Sequence, residues 1–196
     1  MDPESPNRQL TFDPRELDAI IVSHAHNDHI GKLPCMIREG YRGPIYVTPA
    51  TGDITSIMLR DSARIQRDDA KHGAFRNPNE IALDPLFELA DVEWVVEQFD
   101  RIPYAKPTEI FPGITLTYHN AGHILGSAMV QLDFREKGKD RRFLFTGDLG
   151  RRSMGLLPNP ATIKNIDILV TESTYGNREL DPYDKTQAPR KRTALG

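Results

Sequence analysis

His24-Ala25-His26-Asn27-Asp28-His29 places three imidazoles and a carboxylate within six residues, directly after the apolar run Ile20-Ile21-Val22. Polar groups packed this closely cost free energy when buried without partners, and a metal ion would satisfy all four. Residues at i and i+2 of extended backbone point the same way, whereas a helical zinc site spaces its histidines at i and i+4. His24 and His26 therefore belong to a strand end and the loop after it. A histidine-rich solvated loop is the competing reading; the tight spacing and further candidate ligands downstream count against it. His123 lies in Ala121-Gly122-His123-Ile124-Leu125-Gly126-Ser127-Ala128, Asp148 in Thr146-Gly147-Asp148-Leu149-Gly150, and Glu172 in Thr171-Glu172-Ser173-Thr174-Tyr175-Gly176, each after an apolar, strand-like segment. Singly, Gly-Asp is a common turn and a Glu after a strand is usually solvated. Together they aim polar groups at one rim of a sheet.

The elements that must position these groups follow from hydrophobic period. A first strand spans Ala19 to Ser23, and apolar residues at 30, 33, 36 and 37 predict a helix from Asp28 or His29 to Gly40 whose positive N-terminal end faces the site and favours anions. Pro44 to Thr48 reads as a second strand. Thr51-Gly52-Asp53 leads into a helix with Ile54, Ile57, Met58 and Ile65 on its apolar face; Arg60, Arg64 and Arg67, mixed with Asp61, Asp68 and Asp69, form a solvated face rather than a nucleic-acid stripe. Residues 71–84 read as loop, with His72 at the surface, and a third helix starts at Asp91 as N-cap, with Val92, Val95, Val96 and Phe99 on one face. Strands follow at Ile114–Tyr118, Ala128–Phe134, Arg142–Thr146 and Ile166–Val170, the second turned onto the third at Gly138. This mixture predicts an α/β protein with helices packed on sheets.

A chain of 196 residues supports one domain with a real core. With 38% hydrophobic and 27% charged residues and a net charge of -3, it has the composition of a soluble globular protein. It carries no global footprint for nucleic acid, although a local basic groove stays open. Arg141-Arg142 and Arg190-Lys191-Arg192 read as solvated surface, whereas Arg151-Arg152 follow directly on a candidate site. No apolar run approaches the ~20 residues of a spanning helix, and the N-terminus lacks the regions of a signal peptide, so a cytoplasmic location is expected. Cys35, the single cysteine, reads as a packed core thiol. Residues 181–196 are polar and expected to be a disordered tail.

Four motifs carry a family resemblance: Ser23 to His29, Ala121 to Ala128, Thr146 to Gly150, and Glu172-Ser173-Thr174-Tyr175-Gly176-Asn177-Arg178, with Gly43 to Ala50 in support. They resemble the metallo-β-lactamase fold and, within it, the β-CASP branch of RNA- and DNA-processing nucleases, over residues 13 to 180. The resemblance implies an αββα sandwich, incomplete here, over 1–180 up to the start of the β-CASP region. It also implies two zinc ions, with manganese as an alternative: His24, His26 and His123 at the first, Asp28 and His29 at the second, and Asp148 bridging. Asp28 and Glu172 are the implied catalytic residues, Glu172 not as a ligand but as the group that orients a proton-donating histidine. Arg151 and Arg152 are candidate contacts to a backbone phosphate.

Zinc in such a site lowers the pKa of bound water to ~7, and two metals can stabilise both the attacking and the leaving oxygen of a phosphodiester. The implied function is zinc-dependent hydrolysis of RNA, single-stranded as the expected substrate, in maturation or decay, with endonuclease and exonuclease both open. A thioesterase-like small-molecule hydrolase and a truncated, non-catalytic binding module are the alternatives. No histidine follows His123, so the second zinc lacks one family ligand and Glu172 lacks its histidine partner. The chain is expected to be the middle of a longer nuclease.

Overall fold

Short segments separated by helices, the first two rich in β-branched residues, build a parallel three-stranded sheet in the order β1 (Ile20–Ile21), β2 (Ile45–Val47), β3 (Phe99–Arg101). The structure is a computed structural model and describes residues 9–76, 84–152, 157–174 and 176–177. Parallel neighbours need long crossovers. Here α1 (Asn27–Ile30) and α2 (Leu33–Arg38) connect β1 to β2, and α3 (Pro49–Arg76) and α4 (Leu89–Glu97) connect β2 to β3. The helices cover one face of this sheet, burying Ile30, Ile37, Leu59, Val92 and Val95 against Val22, Ile45 and Val47.

The second sheet is antiparallel from β4 (Thr108–Phe111) through β5 (Ile114–Asn120) and β6 (Ala128–Glu136) to β7 (Lys139–Phe145), and β8 (Ile168–Val170) joins parallel to β7. Alternate residues of a strand face opposite sides. Leu116 and Tyr118 of β5 and Ala128 and Val130 of β6 accordingly meet Tyr46 and Ile102 between the sheets, while Met129 and Leu144 face outward with Ala121. Lys137 and Gly138 both take positive φ, 50° and 79°, in the tight turn joining β6 to β7. Among the described residues no helix covers the outer face of the second sheet, so three layers of an αββα sandwich are seen. No helix of the described residues is long and apolar enough to cross a membrane.

Several elements depart from the sequence expectation. The helix expected to run from His29 to Gly40 is two, because Pro34 has no N–H to bond the carbonyl of Ile30 and the chain re-enters helix with Pro34 in its first turn. The expected loop from residue 71 begins later, since α3 continues to Arg76. Its apolar face was misassigned: Ile57, Met58 and Ile65 are exposed, and Thr51, Thr55, Leu59 and Ala63 are buried. Small polar side chains allow the close approach at its N-terminal end, where Gly126 lies against Thr51. Asp91 is not the N-cap of α4 but its N3 partner, forming a capping box with Glu88. Phe99 belongs to β3, and β3 and β4 were not foreseen. Cys35 is buried, as expected. Residues 181–196, the side chain of His72, Tyr175 and Arg178 lie outside the described residues.

Candidate metal centre

Chain direction decides which loops can meet. β5 and β7 are each antiparallel to β6, and β8 is parallel to β7, so the C-terminal ends of β5, β7 and β8 share one rim. The loop after β1 joins them there, tied to β6 by the Ala128 N–H bonding the Ser23 carbonyl at 2.8 Å. His24 and His26 arrive from β1, His123 from β5, Asp148 from β7 and Glu172 from β8. Four loops that are far apart in sequence thus deliver their polar residues to one end of the sandwich.

His26 Nδ1 stands 3.1 Å from both His24 Nε2 and His123 Nε2. Asp148 Oδ2 lies 3.5 Å from His24 Nε2 and 3.4 Å from His123 Nε2. One ligand atom from each of these four residues falls within 4.8 Å of all the others. A tetrahedral zinc with bonds of ~2.0–2.1 Å has ligand-to-ligand edges of roughly 3.3 Å, close to these four separations of 3.1 to 3.5 Å. On its other side Asp148 turns Oδ1 to His29 Nε2 at 3.5 Å, and Asp28 Oδ2 stands 3.6 Å from the same nitrogen. The carboxylate therefore faces two groups of donors with two different oxygens.

Tautomers support the same reading. Ser23 Oγ lies 3.1 Å from His24 Nδ1 and 3.3 Å from His29 Nδ1. An oxygen with two lone pairs can accept both Nδ1–H protons, which leaves both Nε2 lone pairs directed at the Asp148 side. Burial pushes His24 down to about 4, with His29 adding to the shift and Asp148 opposing it. Burial likewise lowers His123, against the pull of Asp148. Neutral imidazoles with converging lone pairs repel one another unless a cation lies between them, and neutral is the form a metal requires. The donor set fits a borderline-soft divalent ion such as zinc.

The backbone around the ligands is held by residues that motif reading did not single out. Ser127 Oγ accepts the N–H groups of His123 and Ile124, at 3.0 and 3.1 Å. Thr48 and Thr51 each donate a hydroxyl to the Gly126 carbonyl at 2.8 Å. A Ser four residues after the ligand, just past a glycine, was the available signal for Ser127; Ser23 stood inside the first motif without an assigned part. Of the sequence-predicted residues, His24, His26, His123 and Asp148 are brought together, and Asp28 and His29 sit beside Asp148. Asp28 is largely exposed. Glu172 does not meet the ligands directly but accepts the Leu149 N–H. Arg151 and Arg152 are exposed beyond Gly150.

Residues 2–187 match the model of the beta-lactamase superfamily domain. A ribonuclease of Thermus thermophilus is 35% identical over 175 residues, covering 89% of this chain and 36% of that protein. The transcription termination factor FttA of Pyrococcus abyssi is 37% identical over 175 residues, covering 88% of this chain and 25% of that protein. The chain thus spans about a quarter to a third of the length of these curated relatives. Among solved structures, BJP-1, a subclass B3 metallo-beta-lactamase of Bradyrhizobium japonicum, superposes on 82% of this chain and 58% of its own, with a TM-score of 0.46 and 18% identity.

Proposed function

The chain belongs to the beta-lactamase superfamily, with a metallo-β-lactamase fold, and from that premise we propose that it is the metal-holding part of a β-CASP nuclease that hydrolyses phosphodiester bonds of RNA. The observation that carries this reading is the cluster of His24, His26, His123 and Asp148, in which one nitrogen of His26 stands 3.1 Å from a nitrogen of each of the other two imidazoles and those two flank one carboxylate oxygen of Asp148. Asp28, His29 and Asp148 Oδ1 form a second, more exposed group of donors, which supports two metal positions rather than one. The names of the relatives, a ribonuclease and a transcription termination factor, support RNA as the substrate class; a cytoplasmic site of action is part of the same proposal.

Zinc bound at such positions supplies Lewis-acid activation of water near neutral pH and stabilises charge on a phosphodiester. The chain's own residues do the rest. Ser23 fixes the two Nδ1 protons, so that His24 and His29 present Nε2. Burial of His24 keeps its imidazole unprotonated at working pH, and Asp148 would face one position with Oδ2 and the other with Oδ1. Arg151 and Arg152, exposed after the Asp148 turn, are positioned in sequence to contact a strand phosphate. Residues 1–180 on this reading are one part of a larger catalytic unit.

Metal content per chain, measured alongside cleavage of a labelled single-stranded RNA in the wild type and in His26→Ala, tests the proposal. The wild type is expected to hold metal and cleave, and the variant to lose both. Cleavage that survives His26→Ala at the wild-type rate would sink the metal mechanism. Metal bound with no cleavage would instead assign the chain a binding role.

A further inference from the structure

Among the described residues no backbone N–H is seen to bond the Asp148 carboxylate, and the groups within 4 Å of it are the imidazoles of His24, His29 and His123. Its orientation must therefore come from the turn that carries it. That turn is pinned at three points. Gly147, at φ +53°, lies so close to Ser23 that a Cβ would stand 2.9 Å from the serine Cβ. The Gly150 N–H bonds the Ala121 carbonyl at 2.9 Å, and a Cβ on Gly150 would overlap the carbonyl oxygen of Gly122. Between them the Leu149 N–H donates to Glu172 Oε1 at 2.6 Å. The anchors at Gly147 and Gly150 are contacts of glycine backbone. Only the one at Leu149 is to a charged side chain, which reaches across from the loop after β8.

The surroundings of Glu172 show a carboxylate kept ionised and already committed. Partial burial works to raise its pKa, but the Leu149 N–H and a hydrogen bond with Thr174 lower it and leave it below the ordinary value. A charged acceptor makes a shorter and stronger hydrogen bond than a neutral one, in keeping with the 2.6 Å separation.

We infer that Glu172 is a positioning residue for Asp148: by holding the Leu149 amide it sets the orientation in which Asp148 faces His24 and His123 with one oxygen and His29 with the other. This assigns Glu172 a role within the present chain that needs no histidine partner, and makes it neither a ligand nor a proton donor. The inference rests on the metal-centre reading for its consequence, but not for the contact itself. Groups that orient metal ligands typically change metal affinity ~10–100-fold when removed, and that is the size of effect expected here.

Two variants separate the hydrogen bond from the charge. Glu172→Ala removes the acceptor, whereas Glu172→Gln keeps a carbonyl oxygen able to take the same N–H. Zinc affinity by competition with a chromophoric chelator, and amide hydrogen exchange of Leu149 and Gly150 in metal-free protein, are the two readouts, with far-UV circular dichroism confirming the fold. Glu172→Ala is expected to speed exchange at Leu149 and to weaken zinc ~10–100-fold, and Glu172→Gln to restore protection and most of the affinity. Unchanged exchange and affinity in Glu172→Ala would overturn the inference, as would Glu172→Gln losing as much affinity as Glu172→Ala. If the wild type takes up no zinc, the metal-centre reading fails, and the exchange rates at Leu149 alone decide whether Glu172 holds the turn.

Discussion

The hydroxyl of Tyr118 in β5 donates a 2.8 Å hydrogen bond to the carbonyl of Tyr46 in β2, crossing from one sheet to the other within the core. The same carbonyl accepts the Val22 N–H at 3.0 Å. One buried oxygen thus joins the strand that leads to His24 and the strand that leads to His123. Burial raises the Tyr118 phenol far above its usual range, so it remains a neutral donor wherever the protein is folded.

Tyr118→Phe keeps the ring and therefore opens no cavity, and the Tyr46 carbonyl retains Val22 as a partner. The expected loss is that of one buried hydrogen bond, about 1 kcal/mol, read as a lower urea midpoint with an unchanged slope. Metal content should not change, since the helices and sheet register on either side of the bond stay in place. A loss above about 3 kcal/mol would show that the bond organises more than its own two atoms.

Arg60 and Glu93 tie α3 to α4 through a paired contact, Nε to Oε1 at 2.8 Å and Nη2 to Oε2 at 2.6 Å. The Arg60 hydrogen bond holds the Glu93 carboxyl below its ordinary value of 4.5. A carboxylate with a lowered folded-state pKa stabilises above the unfolded value, and that contribution fades as pH falls through the folded one. Both side chains are more than a third exposed, so solvent screening limits the coupling to about 0.5 kcal/mol. A double-mutant cycle with Arg60→Ala and Glu93→Ala should find that coupling at neutral pH and low salt. It should shrink in high salt and disappear at pH values well below 4.5.

The cluster of candidate ligands was legible in the sequence because strand ends and glycine-flanked loops leave a strong local signal. His24, His26, His123 and Asp148 were all named from type and spacing or from the motifs, and all converge. The strands of the second sheet were legible too, from alternation and from the Gly138 turn. The apolar face of α3 was not: Ile57, Met58 and Ile65 look like a core stripe, yet Thr51 and Thr55 face inward. Period alone cannot find a helix whose inward side is small and polar because it packs against a loop backbone. The short β3 and the supporting contacts of Ser23, Ser127 and Thr48 were missed for a related reason. Each is defined by a partner distant in sequence rather than by its neighbours.

Ser23 is the clearest case. Its hydroxyl is the common partner of His24 Nδ1 and His29 Nδ1, so Ser23→Ala frees both rings to rotate and to change tautomer. The serine is buried and small, and losing one oxygen should cost little of the fold. The expected result is metal bound ~10–100-fold more weakly, measured by chelator competition, with the circular dichroism spectrum retained. Wild-type affinity in the variant would mean that the imidazoles are oriented by packing alone.

Gly126 and Gly113 allow backbone strain to be separated from crowding. Both hold positive φ, +85° and +76°, but a Cβ on Gly113 meets nothing within 4 Å, whereas one on Gly126 would stand 2.5 Å from the Thr51 N and 2.8 Å from its Oγ1. Gly113→Ala should therefore cost only the strain of left-handed backbone, about 1 kcal/mol. Gly126→Ala carries that strain and also pushes the loop away from α3, stretching the bonds from Thr48 and Thr51 to the Gly126 carbonyl. Because His123 sits on the same loop, with its N–H fixed by Ser127, the displacement should reach the metal position. The expected pair of results is a stability loss at least about twice that of Gly113→Ala, and a fall in zinc affinity of ~10-fold or more in Gly126→Ala alone. Equal losses in the two variants, with zinc affinity intact, would show that the loop can move off α3 without carrying His123 with it.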